Sequence, residues 1–395
     1  TLQYQDGEKY PEAVSTEAAV DTDSAVASDV SELSGWKKAT VTITYNEVTK
    51  DICNSVLCIV GKNTTYTGAL YIDNVKIIKE APGEDIYVDV TKTATAKTIS
   101  LSGNTLTTYD KDGTAKESAL SDSIKIVDSN ANDKTKATYA YLEAIGKADS
   151  IIFGHQNDTW HKAGSLKTSN SDTVDVVGSI SGIVGIDALS LTGNEYSAAR
   201  YNDELGKDEE NKLPETPKGN VDAAAMLTNY NIKQGALITL SAHMPNFSQV
   251  EERKDYDAAT DPTYAKYDFS GYTPNVIKGD VMNEILPGGK YNEQYSAYLD
   301  MIADYAKQVD GAILFRPFHE NTGSWFWWGK AFCDAATYKN VYKYTVEYLR
   351  DTKDVHNILY VYGPGSEAAS VKEYAERYPG DDYVDMVGFD MYHSN

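Results

Sequence analysis

The sequence predicts an α/β fold: a (β/α)8 TIM barrel, incomplete with about six strands present, preceded by an all-β sandwich fragment. Three observations predict it. From about residue 133 onward, short apolar runs alternate with stretches of helical periodicity, as in parallel strands joined by crossover helices. Polar residues close those runs at their C-terminal ends, namely His155, Asp187, His243, Glu320 and Asp390, which is the end where such barrels carry their chemistry. Residues 1–80 lack helical periodicity and alternate polar and apolar positions over strand-length runs.

In chain order, the runs Ala39–Tyr45, Val56–Val60 and Gly68–Ile78 read as strands of the first segment. The last of them contains Tyr71-Ile72-Asp73-Asn74-Val75 and resembles the closing strand of β-sandwich carbohydrate-binding modules. Eighty residues are few for such a module, so 1–80 is expected to be its partial remnant. Trp36 is a core residue or a sugar platform. Ala81–Asp85 has linker composition, and 81–132 is read as a linker with lead-in strands at Asp85–Val90, Thr98–Leu101 and Ser123–Val127.

The third segment, 133–395, starts with a helix over Lys136–Lys147. Strands are expected at Ser150–His155, Gly182–Leu191, Gly235–His243, Ala312–Phe318, Ile358–Tyr362 and Tyr383–Phe389, with amphipathic helices at Asn292–Val309 and Asp334–Val355. A doubly wound sheet is the competing topology. It fits less well, because no glycine-rich phosphate loop follows the first strand and Gly363-Pro364-Gly365 follows the fifth. Closing a barrel takes eight strands here, so two are expected beyond Asn395 and a start upstream of Thr1.

A formal charge of -23 repels phosphate, which argues against nucleic acid and anionic membranes as partners. It suits a secreted, monomeric protein acting on a neutral polymer. Three cysteines make neither a zinc spacing nor a disulfide framework. No run reaches membrane-span length.

The most informative stretch is Gly311–Gly329, GAILFRPFHENTGSWFWWG. Its first half is dense in apolar residues, as in a strand buried on both faces. It ends in Arg316, His319 and Glu320, groups expensive to bury without a partner or a task. Trp325, Phe326, Trp327 and Trp328 follow. A carboxylic acid at a strand tip beside indole rings suits protonating a leaving group while ring faces hold a sugar. A core strand with a satisfied ion pair and a tryptophan cluster is the plainer alternative. On the residues alone, Asp390 in Gly388–Tyr392 would supply the second carboxylate that glycoside cleavage needs.

Arg-Pro-x-His-Glu followed by Gly-x-Trp-Phe-Trp-Trp-Gly resembles the acid/base motif of glycoside hydrolase family 26, whose best-known members are β-mannanases. The resemblance covers about residues 133–395. It implies a retaining endo-β-1,4-mannanase with Glu320 as general acid/base and β-mannan or a related plant polysaccharide as substrate. By the same carry-over His243, Trp325, Asp390 and Tyr392 contact the sugar, while His319 bonds a sugar hydroxyl or orients Glu320. His155 stands at the first strand tip and Trp160 serves as an outer platform. On the residues, Arg316 braces carboxylates beneath the site or makes a structural salt bridge, and by the carry-over Asp385 supports the sixth strand or the site edge. The nucleophile becomes a glutamate ending a seventh strand, past Asn395. Val361–Gly365 departs from the family's usual turn, which puts the role of Tyr362 in doubt. Neither a metal nor an organic cofactor is called for. The rival expectations are a mannan-binding fragment without turnover, and a family member acting on xylan or mixed-linkage glucan.

Overall fold

The computed structural model describes residues 99–109, 114–120, 124–148, 151–160, 171–204, 210 and 212–392, together with three short N-terminal strands. Those strands, Leu2–Tyr4, Glu12–Val14 and Ile52–Ser55, form one antiparallel sheet and belong to a separate unit. The expected strands at 39–45, 56–60, 68–78 and 85–90, and Trp36, lie outside the described residues.

The second unit opens with a three-stranded antiparallel meander, Ser100–Ser102, Thr105–Tyr109 and Ala115–Ala119. The expected strand near 123–127 does not form: residues 124–127 are irregular. The amide of Val127 instead donates to Asp385 Oδ1 at 2.7 Å, so a side chain takes the place of a ladder partner. Helix α1, Asp133–Gly146, follows. It begins where Asn132 caps the free amide of Thr135.

Six parallel strands come next: β1 (Gly154–Gln156), β2 (Ile183–Asp187), β3 (Leu237–Ser241), β4 (Ile313–Arg316), β5 (Ile358–Tyr362) and β6 (Met386–Val387). They pair in sequence order. Register runs Val184 to Ile238 to Ile313 to Ile358 across the middle. The long helices between them are α2 (Pro217–Lys233), α3 (Asn292–Gln308) and α4 (Ala335–Glu347). On α3, Tyr295, Tyr298, Leu299, Ile302, Tyr305 and Ala306 are buried at helical spacing.

Alternation along the strands divides the core. Ile313, Phe315, Ile358, Tyr360 and Tyr362 join the large cluster with residues of α3 and α4. Leu314, Leu359 and Val361 form a smaller cluster with Tyr139 and Leu142 of α1. A fully buried large side chain contributes about 1.5–3 kcal/mol. The wholly buried β5 and nearly buried β4 therefore hold the sheet, and the outer strands depend on them.

The edges depart most from expectation. The expected Ser150–His155 strand is shorter and shifted: the ladder covers only Gly154–Gln156, with Ile151 94% and Phe153 63% exposed. The expected Tyr383–Phe389 strand shrinks to Met386–Val387, and both of its residues are exposed. The reason is shared: among the described residues no strand pairs with the outer side of β1 or β6, so their apolar side chains have a neighbour on one flank alone. No helix among the described residues is long and apolar enough to cross a membrane.

Candidate active site

The turn leaving β4 is built under strain. Phe318 and Glu320 both adopt left-handed backbone, with φ of 51° and 54°, a conformation costing about 1–3 kcal/mol for a residue other than glycine. Several bonds offset it. Tyr338 Oη donates to the Phe318 carbonyl at 3.1 Å and Trp328 Nε1 to the His319 carbonyl at 2.8 Å. The Glu320 amide donates to the Gly363 carbonyl on the β5 loop at 2.7 Å. Strain held in place by its surroundings in this way concentrates at functional turns.

That side chain is Glu320, 8% exposed. Trp325 Nε1 donates to its Oε2 at 2.7 Å, and Tyr392 Oη to its Oε1 at 3.2 Å. The negative charge of Glu320 in turn raises the Tyr392 phenol above its ordinary value. The Trp325 ring lies against Gly323, where a Cβ would overlap ring carbons. This close approach explains the glycine between acid and indole.

Two other strand tips converge on the same place. Asp187, at the end of β2, is buried, and its Oδ2 accepts from Ser241 Oγ at 2.6 Å and lies 2.8 Å from His243 Nδ1. Its Oδ1 accepts the amides of His243 and Leu189. Burial opposes charge on Asp187, but the His243 and Ser241 bonds outweigh it and hold the carboxyl below its ordinary value. His243 is likewise opposed by burial, and Asp187 and Glu320 nonetheless raise it.

His319 meets His243 edge-on, with ring centroids 4.6 Å apart, and also packs against Phe326 and Trp328. Burial, with the charges of His243 and Arg316, pushes its imidazole well down. The two rings are therefore shifted in opposite directions, Asp187 favouring the charged form of His243 and burial the neutral form of His319. Tyr272, exposed, tilts toward His243 at 6.4 Å.

Of the remaining sequence-predicted residues, Arg316 and Asp390 border this group, both acting on the Tyr392 that bonds Glu320. Arg316 Nη1 holds both oxygens of Asp390, at 2.9 and 3.1 Å. Asp385 ties the amides of Val127 and Tyr360. Tyr360 is two residues before the end of β5, so Asp385 braces the strands and not the site edge. His155 Nδ1 lies 3.4 Å from Asp158 Oδ1. Trp160, expected as an outer platform, is 4% exposed with its ring edge-on to Tyr196, so it offers no face to a sugar. Trp327 and Trp328 are core residues that also fasten loops, the former donating to the Met244 carbonyl at 3.2 Å. Tyr362 is buried and donates to the Tyr374 carbonyl, which makes it a core residue too.

Sequence reasoning placed Asp187 at a strand tip without linking it to His243. It gave no hint of Tyr272, one of 30 tyrosines in a loop without periodicity. Only the β2–β3 register, which sets Asp187 opposite Ser241, could have suggested the first.

A parallel strand–helix sheet whose strand tips gather two carboxyls, two imidazoles and a partly exposed indole has the layout of a (β/α)8 fold, which carries its chemistry at the C-terminal ends of its strands. Residues 127–395 match Glycosyl hydrolase family 26, and the chain belongs to that family. A mannan endo-1,4-beta-mannosidase of Bifidobacterium adolescentis is 37% identical over 290 residues, covering 71% of this chain and 25% of that protein. Another, from Bacillus subtilis, is 32% identical over 133 residues, covering 31% and 36%. Among solved structures, the catalytic domain of a Bacillus sp. JAMB-750 GH26 endo-beta-1,4-mannanase aligns with TM-score 0.55 and 34% identity, covering 68% and 63% of the two chains. A Cellulomonas fimi endo-beta-1,4-mannanase double mutant aligns with TM-score 0.56 and 33% identity, covering 69% and 55%. The chain spans only a quarter to about a third of the two curated relatives.

Proposed function

We propose that the protein is an endo-acting, retaining glycoside hydrolase that cleaves β-1,4-mannan, with Glu320 as general acid and then general base. The observation that carries this reading is Glu320 itself, held on strained backbone with its two oxygens against Trp325 and Tyr392. A carboxyl so fixed gives its proton to the departing glycosidic oxygen and later takes one from water. Relatives named as mannan endo-1,4-beta-mannosidases support mannan as the polymer.

His243, braced by Asp187, would hydrogen-bond a sugar hydroxyl in the cleavage subsite, with the Trp325 face beneath the ring. Asp390 has both oxygens on Arg316, which suits a fixed sugar contact better than an attacking group. The family resemblance therefore guides the choice of nucleophile, a glutamate on a seventh strand beyond Asn395. We propose further that the enzyme is secreted and monomeric, since a polysaccharide is cut outside the cell, and that residues 1–80 are the remnant of a carbohydrate-binding sandwich.

The test is incubation of the full-length protein with β-1,4-mannan, xylan and mixed-linkage glucan separately. Oligosaccharides of several lengths released from mannan are expected. Release from xylan or glucan alone would replace the substrate, and binding of mannan without any product would replace the enzyme by a binding protein.

A further inference from the structure

Arg377 is an arginine buried to 2% exposure, and among the described residues no carboxylate forms an ion pair with it. Its charge is met by backbone and by a ring. Nη1 donates to the Cys333 carbonyl at 2.6 Å, Nη2 to the Trp328 carbonyl at 3.2 Å, and the guanidinium lies 4.5 Å over the Tyr338 ring. Its Nε–H finds no partner. Burying a permanent charge in this way is costly, and a well-packed apolar residue would fill the space more cheaply.

What the charge touches explains the expense. Trp328 and Tyr338 are the two side chains that bond the His319 and Phe318 carbonyls. Those carbonyls belong to the two peptides that link the left-handed residues, Phe318 and Glu320. Arg377 thus touches both of the groups that hold the acid-bearing turn in its strained form, Trp328 through one arm of its planar fork and Tyr338 through its flat face. It also ties Trp328, the last of the aromatic run, and Cys333, five residues on, to the segment that follows β5.

We propose that Arg377 is a positioning residue for the acid/base step: it fixes Trp328 and Tyr338, and through them the direction in which Glu320 points. This rests on the reading of Glu320 as the proton donor. Lysine cannot replace it, because a single ammonium has no planar fork to span two carbonyls beneath a ring face.

The test compares Arg377→Lys, Tyr338→Phe and Glu320→Gln in the full-length protein. Each is assayed on mannan and on an aryl β-mannoside whose activated leaving group departs without a proton. Misaiming the acid should lower kcat/KM on mannan by about 10²-fold while kcat/KM on the aryl substrate falls far less. Tyr338→Phe keeps the ring under Arg377 and removes only the bond to Phe318, so it carries the same split if Arg377→Lys does not fold. Unchanged kcat/KM on mannan in these variants, or equal losses on both substrates, would overturn the proposal. Should Glu320→Gln alone show the split, only the role of Arg377 fails. Should Glu320→Gln show none, the acid role of Glu320 fails with it.

Discussion

The indole N–H of Trp325 points at Oε2 of Glu320, five residues earlier, at 2.7 Å. One aromatic therefore has two tasks: its nitrogen orients the carboxyl, and its ring, 38% exposed, remains open toward a bound sugar.

Trp325→Phe keeps a ring and removes the donor. A hydrogen bond to an ionised group contributes about 1.5–3 kcal/mol, so kcat/KM on mannan should fall roughly ten- to a hundredfold. The melting temperature should barely move, because the side chain is partly exposed. Steady-state kinetics beside thermal unfolding checks both.

Gly323→Ala should reach the same bond from the other side. The added methyl would overlap the Trp325 ring, which must swing away from Glu320. Activity should drop by a factor comparable to that of Trp325→Phe, and combining the two changes should add little. A double-mutant cycle in kcat/KM measures the coupling, and simple additivity would show that the glycine has no part in placing the indole.

Asp187→Asn should lower the His243 titration midpoint, since Asp187 is what raises it against burial. The sign follows from linkage. His243 is raised above its ordinary 6.5, so its share of stability is complete below that value and is lost as pH rises through the folded value. Asp187 is depressed below 3.8, so its share is present above that value and lost as pH falls through the folded one. The pair should be intact between those limits. Histidine NMR titration of wild type and variant measures the shift, and an unmoved midpoint would contradict the pairing.

His356 should give the second unit a pH-dependent staple at the opposite end of β5. Its Nδ1 lies 2.7 Å from Asp128 and its Nε2 2.8 Å from Asp354, so only the doubly protonated ring can donate to both. Burial opposes its charge, but the two carboxylates raise it, and the nearby Asp351 is engaged by Arg350. The clamp is complete below the ordinary histidine value and weakens as pH rises through the raised one. Thermal unfolding of wild type should lose stability across that rise, and His356→Gln should flatten the loss.

The sequence by itself determined the class of sheet, the order of its strands, and the carboxyl at the tip of β4. These are written in local signals: apolar runs of strand length, helical periodicity as on α3, and a run of rare residues from Arg316 to Trp328. The strands β4 and β5 match their expected cores because both are covered on two faces, the condition their composition describes. Tertiary structure alone decided which tips meet. Asp187 and His243 are 56 positions apart and join only because β2 and β3 lie in register. Trp160 is sent to the core by Tyr196, Asp385 to bracing by Val127, and Arg377 under the aromatic turn by the loop after β5. None of these pairings leaves a periodic trace, because a contact between distant segments is set by the packing of whole elements and not by the residues flanking either partner.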